Sequence, residues 1–218
     1  MELNKYIEHT LLKQNATKEE VKKILDEAIQ YNFLGVCVNP CNVKFAKDYL
    51  KNTDIKIVTV IGFPLGQSTM ESKILETVDA IKNGADEVDM VINGGKLKDG
   101  DFDYIVEEIS KIKSACQGHI LKVILETDLL TPDEIKSACR LCVKGGADFV
   151  KTSTGFVKNG VGAKAEDVKL MHEEVNNFGL KVKASGGIRD RETALKMIEA
   201  GAVRLGTSSG VKIVEGIA

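Results

Sequence analysis

Five charged residues stand in stretches that otherwise read as buried strands: Asp89, Lys122, Glu126, Lys151 and Lys183. The sharpest case is Asp148-Phe149-Val150-Lys151-Thr152-Ser153-Thr154-Gly155, a short apolar run with Gly145-Gly146 upstream and Gly155 downstream. An unpaired ammonium is costly to bury, and losing its proton relieves that cost. The neutral amine that results is a nucleophile, so Lys151 is a candidate for attack on a carbonyl and formation of a Schiff base. Side chains alternate across a strand, which turns Asp89 away from Val88 and Met90, and Lys183 away from Val182 and Ala184. If these positions share one interior, an acid and two lysines converge there. The second ammonium then disfavours protonation of Lys151, and Asp89 with Lys183 can move protons to and from a substrate. The plainer alternative is a buried Asp89–Lys183 ion pair beside a Lys151 whose head reaches water.

Two later stretches lead from apolar runs into small residues: Ala184-Ser185-Gly186-Gly187-Ile188 and Leu205-Gly206-Thr207-Ser208-Ser209-Gly210. Glycine lets the backbone come close to an anion, and a helix N-terminus beyond it aims free N–H groups the same way. Thr154-Gly155 adds further donors next to Lys151. The spacing therefore points to a phosphate cradle near the reactive lysine.

The elements that must position these groups recur in a regular order. Apolar runs near residues 7–12, 35–38, 55–61, 87–92, 120–126, 149–151, 181–184 and 203–206 read as eight strands. Between them lie amphipathic stretches opened by capping boxes at Thr17-Lys18-Glu19-Glu20, Ser68-Thr69-Met70-Glu71 and Thr131-Pro132-Asp133-Glu134. The first two carry apolar faces of Val21, Ile24, Leu25, Ala28 and Ile29, and of Ile74, Leu75, Val78 and Ile81; the helix after the fourth strand carries Phe102, Ile105, Val106, Ile109 and Ile112. Strands alternating with helices predict a parallel sheet, and eight of them predict closure into a single-domain (β/α)8 TIM barrel over residues 1–218. A doubly wound open sheet is the alternative, weakened because no Gly-x-Gly-x-x-Gly turn follows an early strand.

A net charge of -2 without blocks of like charge argues against a nucleic-acid partner. No apolar run approaches the length that spans a membrane, and the start Met1-Glu2-Leu3-Asn4-Lys5 lacks a signal-peptide core. The five cysteines show no metal-type spacing, which predicts a reduced, cytoplasmic protein with Cys139 and Cys142 in a helix core. His9, His119 and His172 offer no ligand pair, so no metal is expected, and His9 reads as a hydrogen-bonded strand residue. Cys37 lacks an evident histidine partner and reads as core or pocket wall.

Several of these stretches together resemble the deoxyribose-phosphate aldolase family. They include Ile7-Glu8-His9-Thr10-Leu11-Leu12-Lys13, Val60-Ile61-Gly62-Phe63-Pro64-Leu65-Gly66, Glu87-Val88-Asp89-Met90-Val91-Ile92-Asn93 and Phe149-Val150-Lys151-Thr152-Ser153-Thr154-Gly155-Phe156, with Val182-Lys183-Ala184-Ser185-Gly186-Gly187-Ile188-Arg189 and Gly206-Thr207-Ser208-Ser209. The resemblance implies a class I, cofactor-free aldolase that reversibly cleaves 2-deoxy-D-ribose 5-phosphate to glyceraldehyde 3-phosphate and acetaldehyde. It implies Lys151 as the Schiff-base lysine and Asp89 and Lys183 as proton donor and acceptor. It also implies Gly155, Gly186, Gly187, Ser208 and Ser209 as phosphate contacts, a sugar phosphate as small-molecule partner, and a homodimer. Three positions depart from the family pattern: Glu8 where aspartate is frequent, Gln14 where proline is, and Phe156 where some members have lysine. The tail to Ala218 carries no tyrosine, so enamine protonation is expected to rely on Asp89, Lys183 and water.

Overall fold

The computed structural model describes residues 2–216. Strand and helix alternate from β1 (Ile7–Leu11) through α1 (Lys18–Tyr31), β2 (Gly35–Val38), α2 (Val43–Tyr49), β3 (Lys56–Ile61) and α3 (Met70–Lys82). Then follow β4 (Glu87–Val91), α4 (Gly94–Lys98), α5 (Phe102–Ala115), β5 (Ile120–Ile124), α6 (Pro132–Gly145) and β6 (Phe149–Lys151). The chain ends with α7 (Ala165–Val175), β7 (Lys181–Ser185), α8 (Arg191–Glu199), β8 (Ala202–Thr207) and α9 (Gly210–Glu215). Every neighbouring strand pair is parallel, and β8 returns to β1, so the sheet closes as the expected eight-stranded barrel.

Local chemistry starts the helices where the sequence signals them. Thr17 with Glu20, and Thr131 with Glu134, form reciprocal capping boxes, and Pro132 takes the first turn of α6. The third helix begins one residue later than the Ser68 box suggests: Thr69 is the cap, accepting from the Ser72 amide. Helices α4 and α9 have no counterpart in the sequence reading, because five and six residues show too little periodicity to register. Strand β5 stops at Ile124 rather than running to Glu126, since Glu126 turns into the left-handed region at φ 62°.

Apolar residues pack in two places. The large cluster lies between barrel and helices and includes Val21, Leu25, Val88, Met90, Ile109 and Met171. A small one, Leu12, Cys37, Val58 and Val60, sits apart from it with Phe63 against it. Four predicted face residues, Ile29, Leu75, Val78 and Phe102, are instead exposed.

One charged pair is embedded between helices α3 and α5. Lys73 donates to Glu108 at 2.8 Å and to the Val91 carbonyl at 2.9 Å, and both side chains are fully buried. Its stem runs under Gly62, where an added Cβ would meet Lys73 Cε at 2.7 Å. Replacing Lys73 by Met strands the Glu108 carboxylate without a counter-charge and is expected to cost about 3–5 kcal/mol of stability. The double change Lys73→Met with Glu108→Leu should recover most of that loss in urea unfolding; a double variant no more stable than the single one would contradict this account.

Candidate active site

The barrel strands place Asp89, Lys122, Lys151 and Lys183 on one face by register. Asp89 pairs with Lys122 across β4 and β5, and Lys151 pairs with Lys183 across β6 and β7. Partners in register point to the same side of a sheet, so the charges share the barrel interior. Lys151 is 3% exposed and Asp89 and Lys183 are fully buried. The plainer alternative of a surface Lys151 is thereby replaced: its ammonium is inside, with the Asp89–Lys183 pair beside it.

Asp89 is the hub. Its Oδ2 accepts from Lys151 at 2.9 Å and from Lys183 at 2.6 Å, while its Oδ1 accepts from Lys122 at 2.9 Å. Lys183 also donates to Glu8 Oε2. Gly206 leaves room for that lysine, since a Cβ there would meet Lys183 Cε at 3.1 Å. Lys122 lies 2.5 Å from Glu87 Oε2, off hydrogen-bond geometry, and 3.4 Å from Glu8 Oε1. Arg204 closes the floor at 3.6 Å from both Glu8 Oε1 and Glu87 Oε1, over the ring of Phe149.

The three groups respond differently to the same burial. Desolvation pushes the Lys151 amine below the ordinary lysine range; Asp89 opposes that, and Lys183 adds to it. Burial is thus the leading cause, and the neighbouring ammonium that the sequence suggested is a smaller one. Burial would also lower Lys183, yet Asp89 and Glu8 together raise it above the ordinary range. Burial would raise the Asp89 carboxyl, but the cations Lys122, Lys151 and Lys183 hold it well below the usual carboxylate range. Burial raises the Cys37 thiol to about 11, in keeping with its place in the interior wall.

Above Lys151 opens a cavity of about 280 Å³, lined among others by Gly155, Gly186, Gly187 and Ser208. Asp89 and Lys183 are not in its walls; they lie behind the lysine. Ser209 is not in its walls either: it opens α9, and its amide donates to Thr207 Oγ1. Lys13 and Arg189 do line it, two cations that the sequence reading did not assign. A larger apolar groove of about 440 Å³ adjoins at Thr154 and Phe156; Glu126 lines it, but Asp89, Lys122, Lys151 and Lys183 do not.

The loop after β6 is tied down by the loop after β5. Glu126 accepts from the Thr154 amide at 3.1 Å and from the Thr154 hydroxyl, and Asp128 accepts from the amides of Val161 and Gly162. Burial raises the Glu126 carboxyl, while its bonds to Thr154 pull the other way. Glu126 therefore serves the loop rather than the lysine network, contrary to its expected place in a shared polar interior. On the outer side of β1, His9 pairs with Glu27 at 2.7 Å, as a strand histidine should. Among the described residues, no three His, Cys, Asp or Glu side chains are grouped as they would be around a metal ion.

The sequence reading missed Glu8 as a partner of Lys183, and missed Glu87 and Arg204 entirely. Strand alternation could have found them: Glu87 is two residues before Asp89, and Glu8 interrupts an apolar run in β1.

With this geometry established, the relatives become informative. A family profile described as "DeoC/LacD family aldolase" matches residues 3–216. The chain belongs to this aldolase family. It is 57% identical to a deoxyribose-phosphate aldolase of Finegoldia magna over 216 residues, covering 99% of this chain and 100% of that one. It is 55% identical to one from Caldanaerobacter subterraneus, covering 99% of this chain and 93% of the relative. Among solved structures, the tetrameric deoxyribose phosphate aldolase from Aeropyrum pernix superposes with a TM-score of 0.90 at 33% identity, over 98% of this chain and 89% of that one. Aldolase chemistry is what a buried amine beside a carboxylate can perform, so family and geometry agree.

Gly162 packs behind the glycine-lined wall of this aldolase fold and has no room for a side chain. It sits at φ +84°, and a Cβ there would lie 2.5 Å from the Gly186 carbonyl oxygen. That oxygen is also the acceptor for the Ala163 amide. Gly162→Ala is expected to cost about 1–3 kcal/mol through backbone strain and to speed hydrogen exchange across residues 154–164. Unchanged exchange there would show that this loop is not anchored by Gly186.

Proposed function

We propose that this aldolase reversibly cleaves 2-deoxy-D-ribose 5-phosphate to D-glyceraldehyde 3-phosphate and acetaldehyde, with Lys151 as the Schiff-base lysine. The observation that carries the reading is the Lys151 ammonium at 2.9 Å from Asp89 Oδ2, buried at the base of the glycine-lined cavity. Burial favours the neutral amine, which attacks C1 of the open-chain aldehyde. Loss of water leaves a protonated imine that draws the electron pair of the C2–C3 bond. The break falls there because a two-carbon product must carry C1 and C2. As it breaks, the C3 hydroxyl gives up its proton and becomes the aldehyde of glyceraldehyde 3-phosphate. The enamine left on Lys151 takes a proton at C2, and water releases acetaldehyde.

Asp89 and Lys183 pass these protons, through water where the distance requires it. Asp89 is ionised at rest, so it stabilises the cationic imine and can accept the C3 proton, and Lys183 is charged, so it holds a proton to give to C2 and is recharged from Asp89. Gly155, Gly186, Gly187 and Ser208 would hold the phosphate with backbone N–H groups, and Ser209 would act from the start of α9. Phe156 adds no charge there, so Lys13 and Arg189 supply the cations of this mouth.

We read residues 1–218 as one catalytic barrel, working in the cytoplasm, where free cysteines persist. No described helix is long and apolar enough to cross a membrane. Self-association into a dimer belongs to the same reading, with exposed Leu75 and Val78 on α3 available for it.

Borohydride reduction in the presence of acetaldehyde should leave a two-carbon adduct on Lys151, located by peptide mapping. Lys151→Ala should lose the adduct and lower turnover roughly a thousandfold or more while keeping its fold. A variant retaining a tenth of the activity would contradict the role. The attacking amine must be unprotonated, so trapping rises with pH through its pKa. Since burial lowers that pKa from 10.5, the rise should fall at lower pH than for an exposed lysine.

A further inference from the structure

The interior charges around Lys151 can be followed strand by strand, as partners in register face the same way. From β1 comes Glu8; from β2, Cys37, whose thiol burial keeps neutral; from β3, the apolar Val58 and Val60, with Lys56 on the same face but exposed to water at the start of the strand. From β4 come Glu87 and Asp89, from β5 Lys122, from β7 Lys183, with Lys181 below it exposed to water over the Phe149 ring, and from β8 Arg204. Glu126, in the loop after β5, is engaged by Thr154 and forms no ion pair among the described residues.

Three carboxylates thus face four basic side chains, and the four do not share them equally. Lys122 lies against Asp89, Glu87 and Glu8. Lys183 holds Glu8 and Asp89, and Arg204 lies near Glu8 and Glu87. Lys151 reaches Asp89 alone, through the oxygen that Lys183 also occupies. A closed interior is least costly when its charges balance. Balance is reached when one basic group gives up its proton, and the group with the weakest hold on a carboxylate is Lys151.

We propose that Glu87, Lys122 and Arg204, beneath the reacting groups, are positioning residues that leave Lys151 as the one amine without a carboxylate of its own. On this view the floor does not touch substrate. It acts through Asp89: Lys122 occupies Oδ1, so Oδ2 is the only oxygen open to Lys151 and Lys183. Glu87 and Arg204 hold Lys122 and Glu8 in place from below. The inference rests on Lys151 being the Schiff-base lysine, but it assigns the cause of that reactivity to residues one layer deeper.

Its test is a pair of substitutions with opposite sign. Removing a negative charge with Glu87→Gln makes a protonated Lys151 less favourable. The half-maximum of acetaldehyde trapping by cyanoborohydride should then move to lower pH by about half a unit or more. Removing a positive charge with Lys122→Met makes a protonated Lys151 more favourable, and the half-maximum should move to higher pH by a similar amount. Lys122→Arg, which keeps the charge, should restore the wild-type position. Adduct formation is read by intact mass against pH at a temperature where circular dichroism shows each variant folded. General loosening of the barrel would slow trapping in both variants and move their profiles in the same direction. Shifts of one sign, or none, overturn the proposal; if only one of the two folds, its own sign decides. A wild-type chain that gives no adduct at any pH would instead overturn the Schiff-base reading.

Discussion

One carboxylate, Asp89, is shared by the ammonium groups of Lys122, Lys151 and Lys183, and the interior of the barrel is arranged around that sharing. A carboxylate desolvated alone would take up a proton. Here the surrounding cations keep it ionised, and its negative charge in turn keeps Lys183 and Lys122 protonated. For Lys151 the same carboxylate offsets the effect of burial only in part. Two chemically identical side chains, paired in register on adjacent strands, are therefore shifted in opposite directions because their partners differ.

Closure of the barrel makes such an interior possible. A polar ring of this kind would be unstable at the centre of an open sheet, where helices on both faces demand apolar residues. In a closed barrel the outward faces of the strands meet the helices, and Val88 and Met90 pack there. The inward faces need satisfy only one another, and the small apolar patch of Cys37, Val58 and Val60 leaves the remainder free for charge. Glycine at 206 gives Lys183 the space to extend toward Glu8 and Asp89.

The rim follows a different rule from the floor. Below, charged side chains bond to charged side chains; above, carboxylates of Glu126 and Asp128 hold the backbone of the next loop. Gly155, Gly186 and Gly187 line the cavity beside Lys151. Glu126 adopts a backbone conformation that is unfavourable for a non-glycine residue, and strain of this kind persists where surrounding bonds enforce it. The interior charge network and the glycine-lined cavity are thereby built from separate layers that meet at Lys151.

The sequence alone determined the barrel, since eight apolar runs separated by capped amphipathic helices have few other ways to bury both strand faces. It also singled out Lys151, Lys183 and Asp89, because charge inside an apolar strand is costly and so conspicuous. Short helices such as α4, and the outward turn at Glu126, were not legible: neither leaves a periodic trace in the residues. Nor could the sequence say which carboxylates surround each buried lysine. That was decided only in three dimensions, where strand register brings residues as distant as Glu8 and Lys183 together. Protonation depends on the sum of charges within a few ångströms, and only the closed barrel specifies which charges those are.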